Sequence, residues 1–130
     1  ARSRGTRSPP QSQPPLLLLL TRTLMSFARV QRSVDEAVLA TLKGELTGQA
    51  YTPSTVEELT RSLSKACLKA LHGLELPFKF IVSVNLGKPD TTFHTCSACL
   101  WNQAEDGSTT VQWRNEQDLC SIVNVFCVAL

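Results

Sequence analysis

The hydrophobic period of this chain changes once, at Pro77, and that change constrains the fold more than any other feature. Before Pro77, apolar residues recur three and four positions apart, which is the spacing of one face of an α-helix. After it they alternate with polar residues, as in a β-strand with one buried face. The pattern predicts an α+β protein in which two N-terminal helices pack on a four-stranded antiparallel sheet.

The first helix is predicted over residues 34–42, where the apolar positions form one face. Ser33 and Glu36 have the spacing of a capping box, in which a hydroxyl and a carboxylate three residues apart satisfy free backbone amides. Gly44 and Gly48 are expected to end the helical pattern because glycine disfavours helical backbone.

The second helix is predicted to begin near Pro53, with Ser54 and Glu57 as another capping box. His72 and Gly73 mark its end, since glycine is common just past a helix C-terminus. Its buried stripe is predicted to consist of Val56, Leu59, Leu63, Cys67, Ala70 and Leu74, widened by Ala66 and Leu71.

Four strands are predicted after Pro77, over residues 80–86, 92–102, 109–114 and 119–130. Asp106-Gly107 is a strong turn signal between the second and third strands. The fourth strand is apolar on both faces, so we expect it to lie in the centre of the sheet, or beneath both helices and a partner.

Residues 1–27 differ from the rest and predict a disordered tail ahead of a domain over residues 28–130. The run Leu16 to Leu20 is too short for a membrane span. A transit peptide, or a natural start of the protein at Met25, is an alternative to the disordered tail. Four arginines precede Met25, so removing them takes the net charge from +2 to −2. A mildly acidic domain without a basic stripe predicts no nucleic-acid and no membrane partner.

The chain has five cysteines, an odd number, which favours free thiols in a reducing compartment. Cys96 and Cys99 form a CxxC motif that is typical of zinc or redox sites. Residues three apart on a strand face opposite sides, and no second cysteine or histidine pair completes four ligands. We therefore expect buried or half-buried thiols, no metal and no cofactor.

No catalytic set is predicted. His94 and Cys96 share a strand face, but no acidic residue is placed to orient the histidine as a catalytic base. A thiol enzyme therefore remains a minor alternative. Trp101 and Trp113 are expected to pack in a core or a dimer interface rather than to anchor a ligand.

The segment 92–101 is rich in small residues and carries no lysine that would protect an exposed strand edge. Such an edge can accept another chain through backbone pairing. An ordinary internal strand fits the same pattern, so both interpretations stay open on the residues alone.

Four blocks in this half of the chain resemble successive blocks of the Tctex-type dynein light chain family. They are PFKFIVSVNLGK (77–88), FHTCSACLW (93–101), DGSTTVQW (106–113) and LCSIVNVFCVAL (119–130). The resemblance covers residues 34–130 and is strongest after Pro77. Cys96 and Leu100 stand where the family more often has a small residue and an aromatic one.

The resemblance implies a strand-exchanged dimer, either a homodimer or a heterodimer with a related light chain. The exchanged second strand would offer its free edge, near the second helix, to an extended segment of a dynein intermediate chain. The implied peptide-binding edge consists of Phe93, His94, Thr95, Cys96, Ser97 and Ala98. The implied dimer interface consists of Thr92, Cys99, Leu100 and Trp101.

These features predict a non-catalytic light chain of a dynein, the microtubule motor. Its expected location is the cytoplasm and cytoskeleton, with the ciliary or flagellar axoneme as a further site. A cargo or docking adaptor of the same fold, acting outside the motor, is the alternative.

Overall fold

The computed structural model describes residues 26–90 and 94–130, so the predicted tail before Ser26 lies outside the described residues. The described residues form two helices followed by three strands, which confirms an α+β fold. These elements are α1 (Phe27–Leu46), α2 (Val56–His72), β1 (Phe78–Gly87), β2 (Gly107–Arg114) and β3 (Cys120–Ala129).

Helix α1 is longer than predicted at both ends. It begins at Phe27, so Ser33 lies inside the helix on its exposed side and the predicted capping box is wrong. It also continues through Gly44 to Leu46. Leu46 is fully buried, and burying a leucine outweighs the roughly 1 kcal/mol that a helical glycine costs. The buried face consists of Phe27, Val30, Val34, Val38, Leu42 and Leu46.

Helix α2 begins at Val56 with Thr55 as its N-cap residue, so the predicted Ser54–Glu57 capping box is also wrong. The hydroxyls of Thr52 and Thr55 contact each other in the preceding turn. The end of the helix is as predicted: the Gly73 amide donates to the Lys69 carbonyl oxygen over 3.1 Å. The core-facing stripe is also confirmed, with Leu63, Cys67 and Leu71 fully buried and Leu59 and Leu74 packed beside them.

The sheet has the order β1-β3-β2, with both pairings antiparallel, so the last strand is central as predicted. Its inner face is fully buried at Val123, Val125 and Cys127. Helix α1 covers this face over β2, and α2 covers it over β1. Within residues 26–90 and 94–130, no helix lies on the opposite, outer face of the sheet.

The connection from β1 to β2 must run the length of the sheet. Both strands are antiparallel to β3, so they are parallel to each other. Gly87 ends β1 opposite Cys120, whereas Gly107 begins β2 opposite Cys127 at the other end of β3. The chain between them therefore has to travel back by about 25 Å, which is the length of an eight-residue strand.

Asn115 joins the end of α1 to the turn between β2 and β3. Its buried side chain donates from Nδ2 to the carbonyl oxygens of Leu46 and Gln49, both over 2.6 Å. Its Oδ1 accepts from the amides of Gln117 and Leu119, both over 2.9 Å. The predicted polar turn is thus built around one buried amide group.

Gly107 is required by close packing rather than by an unusual backbone angle. A Cβ atom at this position would overlap the ring of Phe27, the first residue of α1. The Asp106-Gly107 dipeptide therefore lies at the start of β2, where the absence of a side chain at Gly107 lets Phe27 of α1 pack against the strand. No helix within residues 26–90 and 94–130 is long and apolar enough to cross a membrane.

Candidate functional site

Residues 94–101, called the arm below, make no strand pairing within the described part of the chain. The predicted second strand is therefore not confirmed there, and its first residues, Thr92 and Phe93, lie outside the described residues. Every arm residue from His94 to Leu100 is exposed, and Leu100 is fully so. An extended segment becomes a strand only when a neighbouring edge offers backbone partners. Here Thr95, Cys96 and Ser97 lie over the sheet face instead.

The arm lies over the outer face of the sheet. Thr95, Cys96 and Ser97 line a cavity of about 440 Å³ together with sheet residues from all three strands. The sheet residues are Ser83, Thr110, Gln112, Ile122, Asn124 and Phe126. At the end of the arm, the rings of Trp101 and Phe126 lie 6.4 Å apart and tilted. The arm therefore covers the sheet loosely, with one aromatic contact at its C-terminal end.

The outer face has an apolar middle and polar margins. Ile122, Phe126 and Val128 of β3 are half-buried, and Ile81 of β1 is 59% exposed beside Phe126. Thr110 donates to the Asn124 amide oxygen over 2.7 Å. A face of this kind suits packing against another protein surface better than contact with water alone.

A compact turn fixes the C-terminal end of the arm. One carboxylate oxygen of Asp106 accepts from the Asn102 amide over 2.9 Å, and the other accepts from the Ala129 amide over 2.6 Å. The Phe27 amide donates to the Glu105 carbonyl oxygen over 3.0 Å. The arm thus leaves the body of the fold at a point tied to both β3 and α1.

The outer edge of β1 is unpaired among the described residues and runs beside α2. A groove of about 540 Å³ lies between them, with Thr60, Arg61 and Ser64 on one side and Val82 and Val84 on the other. Arg61 pairs with Glu57 over 3.2 Å and with Glu58 over 3.1 Å. Near the end of α2, Phe78 and Phe80 line a further cavity with His72. The edge therefore combines free backbone groups with side-chain pockets.

The sequence offers only a weak signal for this groove. Glu57 and Arg61 are four residues apart, which places them on one helix face. Their position beside β1 depends on how α2 packs across the sheet, which no local pattern reveals.

The five cysteines differ in exposure, with Cys120 half-buried, and those of the CxxC motif correct the prediction of buried or half-buried thiols there. Cys96 and Cys99 are exposed because the arm has no sheet neighbour in the described residues. Cys67 and Cys127 are buried, and desolvation raises the pKa of the Cys67 thiol to about 11 and that of Cys127 to about 12. The two core thiols therefore stay protonated and unreactive at neutral pH.

The described residues hold no cluster of three or more histidine, cysteine or acidic side chains able to bind a metal ion. His94 is exposed on the arm, and Trp113 packs on the inner face against the core. The structure thus brings Thr95, Cys96, Ser97 and Trp101 to the outer face and separates them from Trp113. An exposed arm, an open sheet face and a free strand edge are features for binding other polypeptides.

Comparison with known proteins agrees with this description. The family model of the Tctex-1 family matches residues 29–128. A Drosophila melanogaster protein named "Dynein light chain Tctex-type" is 35% identical over 102 residues, covering 78% of this chain and 87% of that protein. The human "Dynein light chain Tctex-type 3" is 36% identical over 88 residues, covering 67% and 75% respectively. A Dictyostelium discoideum "Dynein light chain Tctex-type" is 33% identical over 108 residues, covering 78% and 96%.

Proposed function

Because this chain belongs to the Tctex-1 family, we propose that it is a non-catalytic light chain of a dynein motor complex. The printed names of its relatives support this role, and the exposed arm beside an open sheet face supports a binding function. Residues 28–130 form the light-chain domain in this proposal. The protein acts in the cytoplasm and on the cytoskeleton, and in a cilium or axoneme where its motor works there.

The observation that carries the proposal is that both the arm and the outer edge of β1 have unpaired backbone groups in the described residues. Residues 94–101 pair with no strand in the described part of the chain. The edge of β1 beside α2 likewise has no strand neighbour there. Exchange of the segment 92–101 between two light chains gives each edge a strand and covers both outer faces. Thr92, Cys99, Leu100 and Trp101 then contact the partner, which is a second copy or a related light chain.

An exchanged arm still has one free edge. An extended segment of a dynein intermediate chain adds to that edge by backbone pairing, next to the α2 groove. The edge consists of Phe93, His94, Thr95, Cys96, Ser97 and Ala98. Two such edges on one dimer hold two intermediate chains, which raises the effective concentration for the second binding event.

Proline substitution tests the edge. Thr95→Pro with Ser97→Pro removes two backbone donors from the arm, so capture of a dynein intermediate-chain peptide is expected to be lost. The matched control is Thr95→Val with Ser97→Ala, which changes the same side chains and keeps both amides. Equal peptide affinity for the proline variant and the control would rule out the edge assignment.

Affinity purification from cells tests the motor assignment. A tagged chain is expected to recover dynein heavy and intermediate chains, and the proline variant is expected to lose both. Recovery of cargo or docking proteins without dynein heavy chains would instead identify an adaptor that acts outside the motor.

A further inference from the structure

The arm carries the two most accessible thiols among the five cysteines. Cys96 and Cys99 are exposed and free, Cys120 is half-buried, and Cys67 and Cys127 are buried in the core. Burial also raises the pKa of both core thiols, which lowers their reactivity further. A dissolved disulfide therefore meets the arm thiols first.

The spacing of these two thiols makes their oxidation a conformational event. The described arm residues 94–100 contain no turn or bend. In an extended chain, Cα atoms three residues apart are separated by about 10 Å. A disulfide needs a Cα separation of about 4.4–6.8 Å. A bridge between Cys96 and Cys99 therefore requires a turn at Ser97-Ala98, which is incompatible with an extended strand.

We propose that Cys96 and Cys99 form a thiol–disulfide switch that controls whether the arm can pair as a strand. The reduced arm is extended and able to dock, whereas the bridged arm is turned and unable to. This inference rests on the proposed function, in which the arm is the exchanged strand and the docking edge.

The chemistry requires a disulfide as oxidant, and glutathione disulfide is a suitable one. The thiolate of one arm cysteine attacks a sulfur of glutathione disulfide, forming a mixed disulfide and releasing one glutathione. The second arm thiolate then attacks the bound protein sulfur, closing the bridge and releasing the other glutathione. The two protein thiols lose two electrons and two protons, and one glutathione disulfide becomes two glutathione molecules.

Docking and oxidation must oppose each other. A partner that binds only the extended arm disfavours the bridge by the same factor by which the bridge weakens binding. Bound intermediate-chain peptide is therefore expected to slow bridge formation at Cys96 and Cys99 and to leave the reactivity of Cys120 unchanged.

The test compares reduced protein with protein treated with glutathione disulfide. Intact mass is expected to fall by two hydrogens, and peptide mapping is expected to place the bridge at Cys96–Cys99. Peptide affinity should fall roughly tenfold or more, because the bridged arm loses several backbone hydrogen bonds. A dithiol reductant should restore it.

Two variants serve as controls, each compared with its own reduced form. Cys96→Ser with Cys99→Ser should bind equally before and after treatment, whereas Cys120→Ser should respond like the unmodified chain. A glutathione adduct without a bridge, a bridge between chains, or a bridged chain with undiminished affinity would each overturn the switch.

Failure of the proposed function gives a different result. If the reduced chain does not bind the peptide at all, the docking role is wrong. The switch is then judged by amide hydrogen exchange and sedimentation: bridging must still change exchange in the arm and abolish dimer formation, or the switch is wrong as well.

Discussion

The arm and β3 both contain the dipeptide Cys-Ser, and its two copies have opposite surroundings. In β3, Ser121 is 1% exposed and its hydroxyl donates to the Trp113 carbonyl oxygen over 2.8 Å. In the arm, Ser97 is exposed and its segment pairs with no strand in the described residues. The difference shows that strand-forming sequence does not itself make a strand. β3 is flanked by two neighbours, whereas the arm has no strand neighbour in the described residues.

The largest effect is expected from a matched pair of leucine substitutions. Leu42→Ala removes a fully buried side chain and should lower the free energy of unfolding by about 2–5 kcal/mol. Leu100→Ala removes a fully exposed side chain and should leave the free energy of unfolding nearly unchanged. Urea unfolding at a concentration where sedimentation shows single chains measures both. Similar losses for the two variants would mean that the arm is part of the core.

A second pair compares the two asparagines that organise turns. Asn115→Ala removes the side-chain partner of the buried Leu46 carbonyl oxygen and of the Leu119 amide. It should lower the free energy of unfolding by about 2–3 kcal/mol. Asn102→Ala, at the base of the arm, loses an exposed hydrogen bond to the Ala104 amide and should cost about 0.5–1 kcal/mol. Thermal unfolding followed by circular dichroism separates the two. A larger loss from Asn102→Ala would mean that the turn at the base of the arm contributes more to stability than the turn around the buried Asn115.

The last effect concerns pH, and it is small close to pH 9. The folded-state pKa of Cys127 is raised from 9.0 to about 12, so folding favours the protonated thiol. Its contribution to stability is complete below pH 9 and falls as pH rises from 9 toward 12, where the unfolded thiol ionises first.

Urea midpoints measured on both sides of pH 9 test this linkage. Cys127→Ala should flatten the fall in stability between the two pH values, while Cys99→Ala on the exposed arm should not. Identical pH profiles for the unmodified chain and Cys127→Ala would show that burial does not perturb this thiol.

Much of the fold follows from the hydrophobic period. The buried stripe of α2 and the central position of β3 are both predicted, because burial of one or both faces fixes the spacing of apolar residues along the sequence. The early start of α1 carried a signal as well, since Phe27 and Val30 continue the spacing that leads to Val34. The predicted end of α1 before Gly44 is wrong, because the burial of Leu46 outweighs the low helix propensity of glycine.

The site was less predictable. The residues of the arm predict a strand without a protecting lysine, yet no sequence pattern states whether a partner edge exists in the same chain. The exposure of Cys96 and Cys99 follows from the lack of a strand neighbour in the described residues, so it could not be inferred from spacing. The α2 groove was missed for a related reason, because its two walls come from elements that meet only through tertiary packing.

The parallel arrangement of β1 and β2 has a further consequence, concerning contour length. The connection between Gly87 and Gly107 can stretch to roughly 60 Å, whereas its return along the sheet needs about 25 Å. This slack lets the same connection close over its own sheet or span the gap to a neighbour. In the proposed strand-exchanged dimer, protein concentration rather than stereochemistry decides between the two, and dilution should return each chain to a self-contained form.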